Sequence, residues 1–431
     1  MTPATPSTLD PAGSGDRLIH LDILRGFMLL GVLLSNIQFW FRAPRGHQNL
    51  SYTLWPGFHN DAATWIIRTF FDMKSIFLFS ILFGVGLAIQ GERAAARGTS
   101  FGAYAGRRLL ALVGFGLLHV GLLWNGDILL EYGVLGFLAL LFLNRSAKTL
   151  WRWVIGVWVV ITLLLLLGPV KTLLGSQPEW MTPAAIRAND ADELRFIAYL
   201  STSWLAVTQF RITDFARILQ DNASAAIVLF GNILFGLAIW KSGLLKNPGA
   251  HLPALKRFVR WALPLGLGLH IIYGFRMAIR FWGYGLPWSL GRFVPLGGDL
   301  AMILGAIAFS LGIGAGFLIL AQDVRWKQRL APLASLGRMT LTTYLTQSLV
   351  MTSIFYGWGL GLYNRMSPLG GLILGLVFFA LQIPVSVWWL RRFRFGPVEW
   401  VWRCLTYAKV QPFRLDKPLV SPGLSALSPT Q

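Results

Sequence analysis

His119-Val-Gly-Leu-Leu-Trp-Asn-Gly-Asp127-Ile-Leu-Leu-Glu131-Tyr132 joins two apolar runs, Leu109 to Leu123 and Ile128 to Phe142, through only Trp124-Asn-Gly-Asp127. Asn-Gly is a strong turn dipeptide. The stretch therefore reads as a tight hairpin between two antiparallel membrane helices, with a histidine and two carboxylates at or near its tip. Ionisable groups at membrane depth are costly to hold there, and they are functional suspects by default.

The rest of the chain fits that reading. It is 55% hydrophobic and only 13% charged, with a mean hydropathy of +0.58. A soluble domain carries about 25% charged residues. Apolar runs long enough to cross a bilayer recur along the whole length. They are continuously apolar rather than alternating, which favours an all-α, polytopic transmembrane bundle over a closed barrel. The net charge of +20 does not indicate nucleic acid, because the basic residues are dispersed in short loops between apolar runs. The single cysteine, Cys404, permits no internal disulfide. No cleavable signal is expected before the first apolar run, which would serve as its own insertion signal.

About ten spans are expected, at roughly 20–40, 65–90, 107–123, 128–143, 151–170, 223–240, 259–280, 298–320, 336–356 and 369–390. With the N-terminus in the cytoplasm, the inner loops (321–338 among them) hold 20 Lys and Arg and the outer ones 10. That bias predicts both termini in the cytoplasm and the His119 hairpin on the outer side. The expected organisation is a disordered tail at 1–17, a five-helix half at 18–174 and an extracytoplasmic cap at 175–222. A second five-helix half at 223–394, an interfacial amphipathic helix at 395–410 and a disordered tail at 411–431 follow. The segment Pro397-Val-Glu-Trp-Val-Trp-Arg-Cys-Leu-Thr-Tyr407 supplies the aromatic anchors of that interfacial helix.

Several polar residues stand in apolar surroundings. Asp22 and Arg25 are three apart on the first span and share a face. They form either a snorkelling arginine with a local partner or a basic site for an anionic cytosolic ligand. Asn36 continues that face outward. Lys74 must face a cavity or a carboxylate, as half of a structural ion pair or as a binding group. Gly84 and Gly86 allow close helix packing. Arg107 and Arg108 open the third span, where cations also set topology. Arg276 and Arg280 are one turn apart, placed for an anionic substrate or for the interface. Asp127 and Glu131 are four apart and lie beside the helix of His119. A carboxylate there would orient the ring as a general base requires, whereas a structural role would be a buried histidine satisfied by its neighbours. No second histidine falls at ligand spacing, so a metal is not supported. The hydroxyl-rich Thr340-Leu-Thr-Thr-Tyr344-Leu-Thr-Gln347-Ser348 reads as packing, because Ser and Thr bond their own helix backbone.

Together, Leu21-Asp22-Ile-Leu-Arg25-Gly26 with Gly31 and Asn36, Lys74 to Gly86, Gly116-Leu-Leu-His119 with Trp124-Asn-Gly126-Asp127, Gly337-Arg338-Met-Thr-Leu-Thr-Thr-Tyr344 and Phe395-Gly396-Pro397-Val-Glu399-Trp400 resemble the YeiB-like membrane protein family. The resemblance covers residues 17 to 410, and in that family the second half is a domain of unknown function. The opening motif also resembles transmembrane acyltransferases of the acyltransferase-3 and heparan-alpha-glucosaminide N-acetyltransferase kinds. The acyltransferase-3 pattern keeps a histidine fourteen residues after the motif aspartate. Here that position is Asn36, as in the glucosaminide acetyltransferases, which leaves His119 as the base if acyl groups are transferred.

The resemblance implies an acyltransferase fold of ten or eleven helices in the plasma (inner) membrane. Acyl-CoA would be the cytosolic donor, a glycan or lipid hydroxyl or amine the acceptor, and no cofactor would be bound. In that reading His119, Asp127 and Glu131 are catalytic. Asp22, Arg25, Asn36, Lys74, Arg107, Arg108 and Arg276 bind substrate or donor. The expected partners are the bilayer and these substrates, without nucleic acid, and a homo-oligomer is left open. The alternative is a transporter or flippase that uses the same intramembrane charges.

Overall fold

The computed structural model describes residues 18–41, 55–98, 100–174, 194–282 and 293–415. They fold as helices throughout, and among them the single β-bridge pairs Phe393 with Arg414. In chain order the helices are α1 Ile19–Phe41, α2 Phe58–Phe70, α3 Lys74–Ala96, α4 Gly102–Leu122, α5 Leu129–Leu140, α6 Ala147–Leu173 and α7 Trp204–Thr213. They continue as α8 Phe215–Lys241, α9 Leu252–Trp282, α10 Phe293–Leu320, α11 Val324–Arg338, α12 Thr340–Phe355, α13 Pro368–Leu390 and α14 Pro397–Tyr407.

Among the described residues, six segments are long and apolar enough to cross a membrane: Ile19–Trp40, Phe58–Ala96, Gly102–Leu122, Ala147–Lys171, Leu296–Leu320 and Pro368–Leu390. The protein is therefore a multi-pass, all-helical membrane protein. Of these segments α1 is the most buried and α6 the least. Mixed small and apolar residues all round α1 suit a central helix, whereas the exposed Leu and Val of α6 suit contact with lipid.

The expected second span is broken at Phe71-Asp72-Met73, where Met73 takes φ +64° and α2 gives way to α3. The expected inner loop 321–338 is instead largely the helix α11, which lies along α1. Gly26 and Gly337 make this approach possible. A Cβ on Gly26 would overlap the Leu333 carbonyl, and one on Gly337 would overlap that of Asp22. Gly84 behaves as expected at the α3–α8 crossing, where a Cβ would strike the Ile233 carbonyl. The border expected at 222/223 falls inside α8, a helix that continues from Phe215 to Lys241.

A helix forms at Pro397–Tyr407, within the expected 395–410, with Pro397 in its first turn. Residues 411–415, expected as part of a disordered tail, pack instead. Trp400 donates to the Gln411 carbonyl at 2.8 Å, and Phe413 stacks against Phe393 with ring centres 4.8 Å apart. The tails at 1–17 and 416–431, and residues 175–193 of the cap, lie outside the described residues.

Candidate functional site

The hairpin between α4 and α5 forms as its sequence demands. Gly116 sits flush against α5, where a Cβ would overlap the backbone of Leu130. The turn brings Asp127 back beside the last turns of α4. Asp127 Oδ2 accepts from the Leu130 amide at 2.6 Å and caps the start of α5. Its other oxygen, Oδ1, lies 2.8 Å from His119 Nδ1. The two atoms face each other without the alignment of a straight hydrogen bond. Both side chains are almost wholly buried.

The third member comes from the far part of the chain. Ser348 Oγ on α12 lies 2.8 Å from His119 Nε2. A carboxylate can only accept, so Asp127 selects the tautomer with hydrogen on Nδ1. Nε2 is then an acceptor, and Ser348 donates to it. Tyr344, one turn before Ser348, packs on the imidazole with ring centres 5.0 Å apart, and its hydroxyl donates to the Gly126 carbonyl at 3.2 Å. Trp124 closes another side edge-on, 6.3 Å from the imidazole centre, and is itself packed on Trp40 of α1.

Two sets of contacts fix the helices that carry this chain. At one end, α14 grips the starts of both α4 and α12. Arg108 stacks over the Trp402 ring at 3.6 Å, and Arg107 donates to the Thr406 carbonyl at 2.8 Å. Glu399 accepts from the Leu341 and Thr342 amides at 2.6 and 3.1 Å and from the Thr342 hydroxyl at 2.6 Å. At the other end, residues 194–213 hold the hairpin tip. Buried Arg211 donates to the carbonyls of Leu122 and Leu123, where α4 ends with acceptors unfilled. Trp204 donates to Leu122 at 3.1 Å, and Tyr199 donates to Asn125 Oδ1 at 2.8 Å. Burial pushes the Tyr199 phenol up to about 12, so it stays a neutral donor.

Comparison with known proteins places this chain in a family. Residues 239–409 match the family described as "Protein of unknown function (DUF418)". "Uncharacterized protein YxaH" of Bacillus subtilis (strain 168) is 32% identical over 421 residues, which cover 94% of this chain and 98% of the relative. "Uncharacterized protein YeiB" of Escherichia coli (strain K12) is 31% identical over 412 residues, 92% of this chain and 98% of its own. The chain belongs to the YeiB-like family. In this YeiB-like chain Ser348 lies inside the DUF418 match, whereas His119 and Asp127 precede it.

The other expected site residues of the YeiB-like protein are dispersed. Asp22 and Arg25 pair at 2.9 Å, as their spacing predicts, and are part-exposed at the start of α1. Asn36 is buried on the α1 face that carries Trp40, one turn on, toward Trp124 and His119. Lys74 is buried at the α2–α3 break and donates to the Arg68 carbonyl at 2.7 Å. It is neighboured by Ser75, which abuts Gly31 of α1. Gly31 and Trp40 are nine residues apart, about 180° round a helix, so Ser75, next to Lys74, meets the face of α1 opposite the one that carries Trp40. Glu131 is one turn from Asp127, and the contact to His119 is made by Asp127. Arg107 and Arg108 anchor α14. The side chain of Arg276 lies outside the described residues.

Ser348 is the residue that the sequence reading passes over. It sits in a hydroxyl-rich run in which Thr340 returns to the Gly337 carbonyl, as expected, whereas Thr342 donates to Glu399. Thr352 and Ser353 donate to carbonyls one turn back, as do Ser80 and Thr406 elsewhere. No spacing signal separates Ser348 from them.

Proposed function

We propose that this protein is a plasma-membrane (inner-membrane) acyltransferase that moves an acyl group from a cytosolic acyl-CoA-type donor to an extracytoplasmic hydroxyl or amine, on a glycan or a lipid. One observation carries the reading: the buried Ser348–His119–Asp127 chain, in which one imidazole nitrogen faces a carboxylate and the other a hydroxyl. That is the preparation a general base needs before it takes a proton from an acceptor. Asp127 orients the ring and would stabilise the imidazolium as it forms.

The loop-charge bias supports placing both termini in the cytoplasm and the hairpin tip outside. Under that topology Asp22 and Arg25 lie at the inner end of α1 and Asn36 further out along the same face. Arg25, part-exposed with a single carboxylate beside it, is placed to meet donor phosphates. Arg107 and Arg108 would act on the donor only through the α14 contacts that already hold them. Glu131 supports the site electrostatically, one turn from Asp127.

The test uses purified protein, labelled acyl-CoA and a cell-envelope extract. Label is expected to move into an envelope component, and His119→Ala is expected to slow that transfer by about 10²–10⁴-fold. Undiminished transfer by His119→Ala would overturn the role given to it.

A second reading has its own observation. Helices broken at membrane depth line solute sites in transporters, and the α2–α3 break holds the buried Lys74. Solute flux across liposomes without any acyl donor, abolished by Lys74→Ala, would favour a transporter.

A further inference from the structure

We propose that Ser348 is a covalent acyl carrier, so that transfer runs by double displacement through an acyl-serine. The inference rests on the acyl-transfer reading and adds to it the nucleophile. Three features carry it. Ser348 Oγ is held 2.8 Å from the one imidazole nitrogen able to accept its proton. The opposite nitrogen faces a buried carboxylate that is itself fixed by the Leu130 amide. Finally, Ser348 departs from the habit of its neighbours. Thr352 and Ser353, the next hydroxyls along α12, return to carbonyls one turn back, whereas Ser348 reaches across to His119 on another helix. A hydroxyl with a base at hydrogen-bond distance, and a third group orienting that base, is the arrangement of an activated nucleophile.

The chemistry balances with the thioester as the co-reactant. Ser348 Oγ attacks the thioester carbonyl carbon while its proton passes to His119 Nε2. The tetrahedral intermediate collapses with breakage of the C–S bond, and His119 returns the proton to the departing thiolate. The acceptor hydroxyl or amine then gives its proton to His119 and attacks the serine ester. The C–O bond to Ser348 breaks, and Ser348 Oγ takes the proton back.

Two measurements on the full-length protein in detergent decide the matter. The first treats it with a fluorophosphonate probe and maps the labelled peptide. The second incubates it with radiolabelled acyl-CoA without acceptor and looks for one equivalent of released CoA and of ester-bound label. Both marks are expected on Ser348. Both should be absent from Ser348→Ala and slowed about 10²–10⁴-fold in His119→Ala. Ser348→Cys, which keeps a nucleophile in place, should take up the acyl group as a thioester. If Ser348 carries neither mark while wild type and Ser348→Ala transfer acyl groups equally in the presence of envelope extract, the carrier is overturned and acyl transfer stands. If the fluorophosphonate marks Ser348 but no acyl group moves with any extract, the activated serine stands and the acyl-transfer reading falls. If a folded protein shows no mark and no transfer, both are overturned.

Discussion

Asp127→Asn separates chemistry from packing at the His119 site, because it removes the charge and leaves the volume. The asparagine oxygen can still accept from the Leu130 amide, leaving its NH2 toward His119. That NH2 favours hydrogen on Nε2, the tautomer in which Nε2 donates and Ser348 loses its acceptor. Activity in the acyl-transfer and labelling assays should then fall by about 10⁴-fold, with the melting temperature little changed. Asp127→Ala is different, since it leaves buried donors at Leu130 and His119 unpaired at about 1–3 kcal/mol each, and should lower both. Comparable melting temperatures for the two variants would contradict the contacts described. His119 and Asp127 are legible in the sequence because their residue types stand out against apolar runs and a turn ties them together. Ser348 is not. Hydroxyls are ordinary in membrane helices, and the contact that distinguishes this one spans 229 residues.

At the scale of elements, the α4–α5 hairpin is a local structure whose turn can be read directly from Asn125-Gly126, but its clamp comes from elsewhere. Arg211 fills the carbonyls at the end of α4 from a segment that the sequence marks only as mixed polar and apolar. Bonds from a charged donor contribute about 1.5–3 kcal/mol each. Arg211→Ala should therefore lower the melting temperature of the solubilised protein by several degrees and slow labelling of Ser348 with it. Arg211→Lys, which keeps the charge and loses the fork that reaches two carbonyls, should fall between. If stability is unchanged in Arg211→Ala, the cap does not hold the hairpin. The ninth expected span shows the opposite limit. Hydropathy draws one helix over 336–356, whereas the chain divides at Met339 into α11 and α12. Glu399 supplies acceptors for the first amides of α12, and no local pattern in 336–356 reports a carboxylate 58 residues beyond Leu341.

For the whole molecule, class was the most legible property and span number the least. Composition alone demands a membrane bundle, but α5 has only 12 residues and α12 only 16, short of a full crossing by length, while α11 lies along α1 as a helix instead of a loop. The halves of the bundle meet where α11 lies along α1 and α8 crosses α3, and α14 adds a bridge between α4 and α12 from outside the apolar spans. Its docking makes a prediction about pH. Burial pushes the Glu399 carboxyl up from its ordinary value, against hydrogen bonds from Thr342 and Leu341 that pull it down. A carboxyl raised in the folded state binds its proton more tightly there than in the unfolded chain. Its contribution to stability is full below the ordinary range, about pH 4, and fades as pH rises through the raised value. Glu399→Gln removes the titration while retaining an oxygen for the Leu341 and Thr342 amides. The melting temperature of the wild type, measured relative to Glu399→Gln, should therefore decline as pH rises through that window. A difference that stays constant across it would mean that Glu399 binds its proton equally in the two states, and that α14 docks without the cost its burial implies.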